Sequence, residues 1–156
     1  METLTTLDKA IRLQKVELFG DMDTDVLALA ASIATQVRLD SGATLFKENG
    51  PSDALYVVLA GRIRLTRAGR EIFASGPGET LGNWALFDDQ PAVATATCAE
   101  ETWVLKIERE DFFDLLADHS EMTQKMFKAL VKRVRSLLSV GLGGGGAAAP
   151  KGTAHA

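Results

Sequence analysis

The sequence predicts an α+β protein in which an antiparallel β-roll, a jelly-roll-like barrel, lies between two N-terminal helices and two C-terminal helices. Three observations carry this. Apolar residues recur at three- and four-residue spacing over roughly the first 35 positions, short apolar runs broken by turn residues follow between 37 and 107, and helical spacing returns after 108. At 156 residues the chain has room for one domain with a real core and little room for a second.

From Thr6 to Phe19, the residues Leu7, Ala10, Ile11, Val16 and Leu18 sit near helical spacing, with Thr5 or Thr6 as N-cap and Gly20 as the stop. In a second helix, Asp21, Asp23 and Asp25 crowd the start, and Val26, Leu27, Leu29, Ala30 and Ile33 follow, to about Thr35. Negative charge suits a helix N-terminus, so the acidic cluster reads as capping. The calcium-loop pattern needs a glycine and a distal glutamate that are missing. Val37–Leu39, Thr44–Lys47, Leu55–Ala60, Arg62–Thr66, Glu71–Ala74, Val93–Ala99 and Trp103–Ile107 then read as strands. Asn49-Gly50, Gly61, Ala68-Gly69 and Gly76-Pro77-Gly78 supply positive-φ or preset turn positions between them. Phe112, Phe113, Leu115 and Leu116, behind an acidic start at Glu108 to Asp111, mark a third helix, and a fourth runs from about Glu121 to Val140.

On the fourth helix Met122, Met126, Leu130, Val134 and Leu137 or Leu138 repeat at three or four residues, while Lys125, Lys128, Lys132, Arg133 and Arg135 fall mostly elsewhere. A helix this long exposes more than one barrel face can cover, which predicts a homodimer through the stripe, as in a two-stranded coiled coil. Residues 141–156 hold six of the fourteen glycines and five alanines without apolar periodicity, and are expected to form a flexible Gly/Ala-rich tail.

Composition narrows the function classes. With 17 Lys and Arg against 21 Asp and Glu the net charge is −4, which predicts no direct contact with nucleic acid. The longest apolar stretch, residues 54–60, is far too short to span a bilayer, and the N-terminus lacks the basic-then-apolar layout of a signal peptide; a cytoplasmic protein with no membrane insertion is expected. The one cysteine, Cys98, lies in an alternating run and reads as buried. The two histidines, His119 at a helix junction and His155 in the tail, cannot join a strand-borne metal cluster, and no Ser-His-Asp or Cys-His set can be built on the roll. No enzyme, no metal and no cofactor are therefore predicted.

The segment Gly78-Glu79-Thr80-Leu81-Gly82-Asn83-Trp84-Ala85-Leu86-Phe87-Asp88-Asp89-Gln90-Pro91-Ala92-Val93-Ala94-Thr95 sits between two strands. It resembles the phosphate-binding cassette of the cyclic nucleotide-binding domain family. With Ser41-Gly42-Ala43-Thr44-Leu45-Phe46 and residues 53–63, the resemblance covers most of residues 7–139 and marks residues 1–140 as one such domain. It implies a β-roll flanked by helices on both sides, the plan that the periodicity reaches independently.

A cyclic nucleotide presents a singly charged phosphate, a ribose hydroxyl and a purine face. Backbone N–H groups at the start of a short helix hold phosphate oxygens, an arginine neutralises the charge, and a carboxylate accepts from the 2′-hydroxyl. By resemblance, Gly82 matches the family glycine and Pro91 its proline, but Asn83 stands in place of the glutamate and Ala92 in place of the arginine. Asn83 retains one neutral hydrogen bond; Ala92 offers an anion nothing. The rest of the cassette, including Ala85, Val93 and Thr95, still fits the pattern, and Trp84 replaces a smaller aliphatic residue and is expected to pack on the roll. Arg62, Arg64, Arg67 and Arg70 are the nearest candidates for a substitute cation, but strand alternation puts Arg62 and Arg64 on one face, expected to be solvent. The expected function is a non-catalytic regulatory or interaction module with a degenerate site. The alternative is a sensor that takes a cyclic nucleotide weakly, or another small ligand such as a cyclic dinucleotide or a neutral metabolite, and moves its C-terminal helices in response. Direct DNA binding is not expected, because residues 141–156 cannot fold into a helix-turn-helix.

Overall fold

A computed structural model describes residues 1–82, 85–142 and 153–154. The chain forms α1 (Thr6–Gln14), a 3-10 turn (Glu17–Phe19), α2 (Thr24–Ser32), β1 (Thr35–Leu39), β2 (Thr44–Phe46), β3 (Ala54–Ala60), β4 (Ile63–Arg67), β5 (Arg70–Ser75), β6 (Thr80–Leu81), β7 (Thr95–Cys98), β8 (Thr102–Glu108), α3 (Arg109–Asp118), α4 (Ser120–Leu142) and β9 (Thr153–Ala154). The predicted plan of helices, β-roll and helices is the observed one. The roll is not a closed barrel: its strands form two sheets, ordered β1-β8-β3-β6-β9 and β2-β7-β4-β5. Strands β1 to β8 pair antiparallel, and β9 lies parallel beside β6. The remainder of the predicted tail lies outside the described residues.

The first helix is shorter than its apolar spacing predicts. Thr5 caps it, its hydroxyl accepting from the Asp8 N–H while the Asp8 carboxylate accepts from the Thr5 N–H, both at 3.1 Å. Only Ala10 and Leu13 of this helix are buried, and Leu7 and Ile11 face solvent. The chain leaves the helix at Lys15, and the 3-10 turn drives Val16, Leu18 and Phe19 into the core. A straight helix would not have brought Phe19 to that depth.

Strand β3 is apolar along its whole length because it has a core on each side. Leu55, Val57 and Leu59 join the helices, packing with Leu13, Phe19, Ala30, Phe112, Met122 and Met126. Ala54, Tyr56 and Val58 face the second sheet and pack with Phe46, Leu65, Ala92, Ala94 and Cys98. Alternation along one strand thus builds two cores, one between helices and sheet and one between the sheets. Burial pushes the Cys98 thiol up, partly offset by its contact with Thr102, so this cysteine is a packing residue as expected. Burial likewise raises the Tyr56 hydroxyl.

The acidic cluster does more than cap. The Asp23 carboxylate accepts from the Val26 N–H at 3.0 Å, as predicted, and also pairs with Lys125 of α4; these bonds, the Lys125 contact foremost, lower its pKa. Asp21 meets Lys132 and Glu17 meets Arg133, each at 3.1 Å. These pairs lie at the surface, only Arg133 being largely covered, and contribute little singly; they join α4 to the N-terminal corner. Burial divides the predicted stripe. Met122 and Met126 are buried in the chain's own helical core, Leu130 is half-buried, and Val134, Leu137 and Leu138 are exposed. The two methionines are therefore not on the open face of α4, contrary to the predicted dimer stripe: they cover α2 and the sheet.

Candidate functional site

The cassette leaves β6 at Gly82, whose φ is +77° and where a Cβ would sit closer than 3.0 Å to the Ala54 carbonyl oxygen. No side chain fits there, so the glycine is demanded by the approach of β3. The Gly82 carbonyl accepts from the Ala85 N–H at 3.0 Å. Asn83 and Trp84 lie outside the described residues. Ala85 and Leu86 are buried, and the Phe87 ring meets Phe112 of α3 edge-on at 5.8 Å.

The return limb is held by the β2–β3 loop. The Ala92 N–H donates to the Gly50 carbonyl at 2.9 Å, and the Asn49 N–H donates to the Ala92 carbonyl at 2.7 Å. These bonds engage the backbone of Ala92 outside the sheet ladder, and β7 begins at Thr95, two residues beyond the predicted Val93. The Thr95 hydroxyl accepts from the Glu48 N–H at 2.9 Å and so secures the same loop. Ala92 is 2% exposed and packs in the inter-sheet core, whereas Val93 turns to solvent. Of the predicted set, Gly82 and Ala85 form one limb and Ala92 and Thr95 the other. Val93 does not join them.

None of the arginines considered as substitutes reaches this core. Arg62, Arg67 and Arg70 are exposed, and Arg64 pairs with Glu71 at 2.8 Å on the outer face. Among the described residues no Lys or Arg is buried, and no group of three or more His, Cys, Asp or Glu is placed to hold a metal. No described helix is long and apolar enough to cross a membrane. One polar residue of the site has no signal in the cassette sequence: Arg109, first residue of α3, donates from Nη1 to the carbonyls of Ala85 at 3.3 Å, of Asp88, and of Ser52 at 3.5 Å.

Fold and site together define the class, a two-sheet β-roll that carries a glycine-initiated cassette between β6 and β7 and is flanked by helices on both sides. The family model described as the cyclic nucleotide-binding domain matches residues 36–119, more than half of the chain, and the chain belongs to that family. It is similar to the N-terminal domain of a transcriptional regulator from Streptomyces coelicolor A3(2), with a TM-score of 0.74 and 33% identity, covering 81% of this chain and 94% of that one. It is 26% identical over 128 residues to the CRP-like cAMP-activated global transcriptional regulator of Mycobacterium tuberculosis, covering 79% of this chain and 57% of the relative. It is 25% identical over 124 residues to the cAMP-dependent protein kinase regulatory subunit of Yarrowia lipolytica, covering 80% of this chain and 33% of the relative. These relatives are regulatory proteins by name, and the chain spans a little over half or less of the length of those two curated relatives.

The matches correct one expectation. Net charge and the residues after α4 predict no contact with nucleic acid, yet two of these relatives are transcriptional regulators by name. A charge summed over a ligand domain carries no information about the surfaces that other domains of a regulator present.

Proposed function

We propose that this chain is a non-catalytic regulatory module that has kept the cyclic nucleotide-binding fold but does not hold cAMP or cGMP in the family's usual way. The observation that carries the reading is Ala92, buried in an apolar core at the position where the resemblance puts the arginine. An arginine–phosphate bond is worth about 1.5–3 kcal/mol, so its loss weakens binding roughly 10- to 150-fold before the exchange of carboxylate for amide at Asn83 is counted. Calorimetric titration with cAMP and with cGMP tests this. The wild type is expected to give no heat of binding up to about 1 mM ligand, a free energy of about −4 kcal/mol. The Asn83→Glu, Ala92→Arg double variant is expected to bind at least 100-fold more tightly than the wild type. Micromolar binding by the wild type would overturn the reading in favour of a true sensor.

The same reading assigns homodimerisation to α4, through a seam that keeps Val134 and Leu138 of the predicted stripe and leaves out its buried methionines. Phe127, Val131, Val134 and Leu138 are each at least half exposed and follow one another at intervals of four, three and four residues, the spacing of a coiled-coil seam. Lys128 and Arg135 flank this seam on one side, and Leu130 and Leu137 on the other. Antiparallel pairing would face the cations with each other. Parallel pairing sets each beside a leucine, which supports a parallel dimer. The Val131→Glu, Val134→Glu variant is expected to sediment as a monomer at concentrations where the wild type is dimeric, with its melting curve otherwise kept. A wild type that is monomeric at about 100 μM would remove this assignment.

A further inference from the structure

We infer that Arg109 is a positioning residue that holds the cassette turn, residues 85–88, on α3. Its chemistry is out of place for a helix start. The first turn of a helix favours negative charge, and the surrounding residues Glu108, Glu110 and Asp111 obey that rule while Arg109 breaks it. Among the described residues no carboxylate pairs with its guanidinium. The side chain instead turns into the protein and spends one nitrogen on carbonyls from two separate segments, Ser52 before β3 and Ala85 and Asp88 in the cassette. Its own N–H donates to the Asp53 carbonyl at 2.8 Å, which anchors the start of α3 to the same loop.

Phe112 stands three residues further along α3, on the same face. It is fully buried, edge-on to Phe87 at 5.8 Å and to Phe19 at 6.5 Å. A polar clamp and an aromatic contact from one helical turn therefore grip one short segment. The segment cannot shift without breaking hydrogen bonds to a charged group or carrying the start of α3 with it. The clamp works from behind the cassette, outside the inter-sheet core. It stands whether or not that core admits a nucleotide, so its test is separable from the calorimetric one.

Hydrogen exchange on the full chain, without nucleotide, tests it. Arg109→Ala is expected to raise exchange about tenfold in peptides covering residues 85–90 and 110–116, while peptides covering β3 and β8, inner strands of the first sheet, stay within about twofold. Arg109→Lys retains the charge without the planar fork and is expected to fall between wild type and alanine, and it keeps the test available if alanine loosens the whole domain. Unchanged exchange at 85–90 in both variants, or an equal rise in every peptide, would overturn the assignment.

Discussion

Phe112→Ala is expected to lower the unfolding free energy by about 3–5 kcal/mol, read as a fall in the urea midpoint at unchanged slope. The ring is fully buried and meets Phe19 of the 3-10 turn, Phe87 of the cassette and Phe113 of its own helix. Its neighbours come from three segments with different supports, so the space left by truncation cannot be filled by one of them relaxing. Against a total stability of about 5–15 kcal/mol for a domain of this kind, such a loss takes about a fifth or more. Phe113→Ala is the control. That ring is 45% exposed on the outer side of α3, and its removal is expected to cost less than about 1 kcal/mol. Equal losses at the two positions would mean that Phe112 is not where the three segments meet.

Gly82→Ala is expected to destabilise by about 3 kcal/mol or more, while Gly78→Ala costs about 1 kcal/mol. Both glycines have φ near +80°, so the backbone penalty of a side chain is shared. They differ in what the added Cβ meets. At Gly78 nothing lies within 4 Å; at Gly82 the Ala54 carbonyl oxygen is closer than 3.0 Å, and neither backbone can yield without moving β3 against β6. The difference between the two variants, measured by chemical denaturation, isolates the seating of the cassette on β3. If the two cost the same, the close approach at Gly82 is relieved in solution.

How far these features could be read from the sequence depends on whether a local pattern encodes them. The strands announce themselves because their turns need particular residues: Asn49 and Ala68 adopt positive φ at positions where asparagine–glycine and alanine–glycine pairs break the apolar runs. Strand β6 has two residues, too few for alternation, and its place is set by pairing with Tyr56 and Val57. The break after Gln14 leaves no mark either, since Val16, Leu18 and Phe19 continue a spacing that a longer helix would also satisfy. On α4 the pattern shows that apolar residues recur but not which of them the chain's own core consumes; that is settled by where α2 and β3 lie. The cassette glycine and the substitution at Ala92 are visible as residues, and only the fold shows that Ala92 is buried. Arg109 is invisible in the motif because its acceptors are backbone carbonyls, which every residue supplies.

The ion pairs between α4 and the N-terminal corner join residues far apart along the chain, Lys125 with Asp23 across 102 positions and Lys132 with Asp21 across 111. The helical layer is therefore built from the two ends of the domain, and its assembly has a direction in time. During synthesis α1 and α2 emerge ahead of strands β1 to β8 and stay without this cover until residues 122–133, which follow β8, have left the ribosome. Closing that loop is among the most costly steps in chain entropy that the fold requires. Until α4 is in place one face of the N-terminal helices is apolar and open, and in that interval this domain is most exposed to premature association.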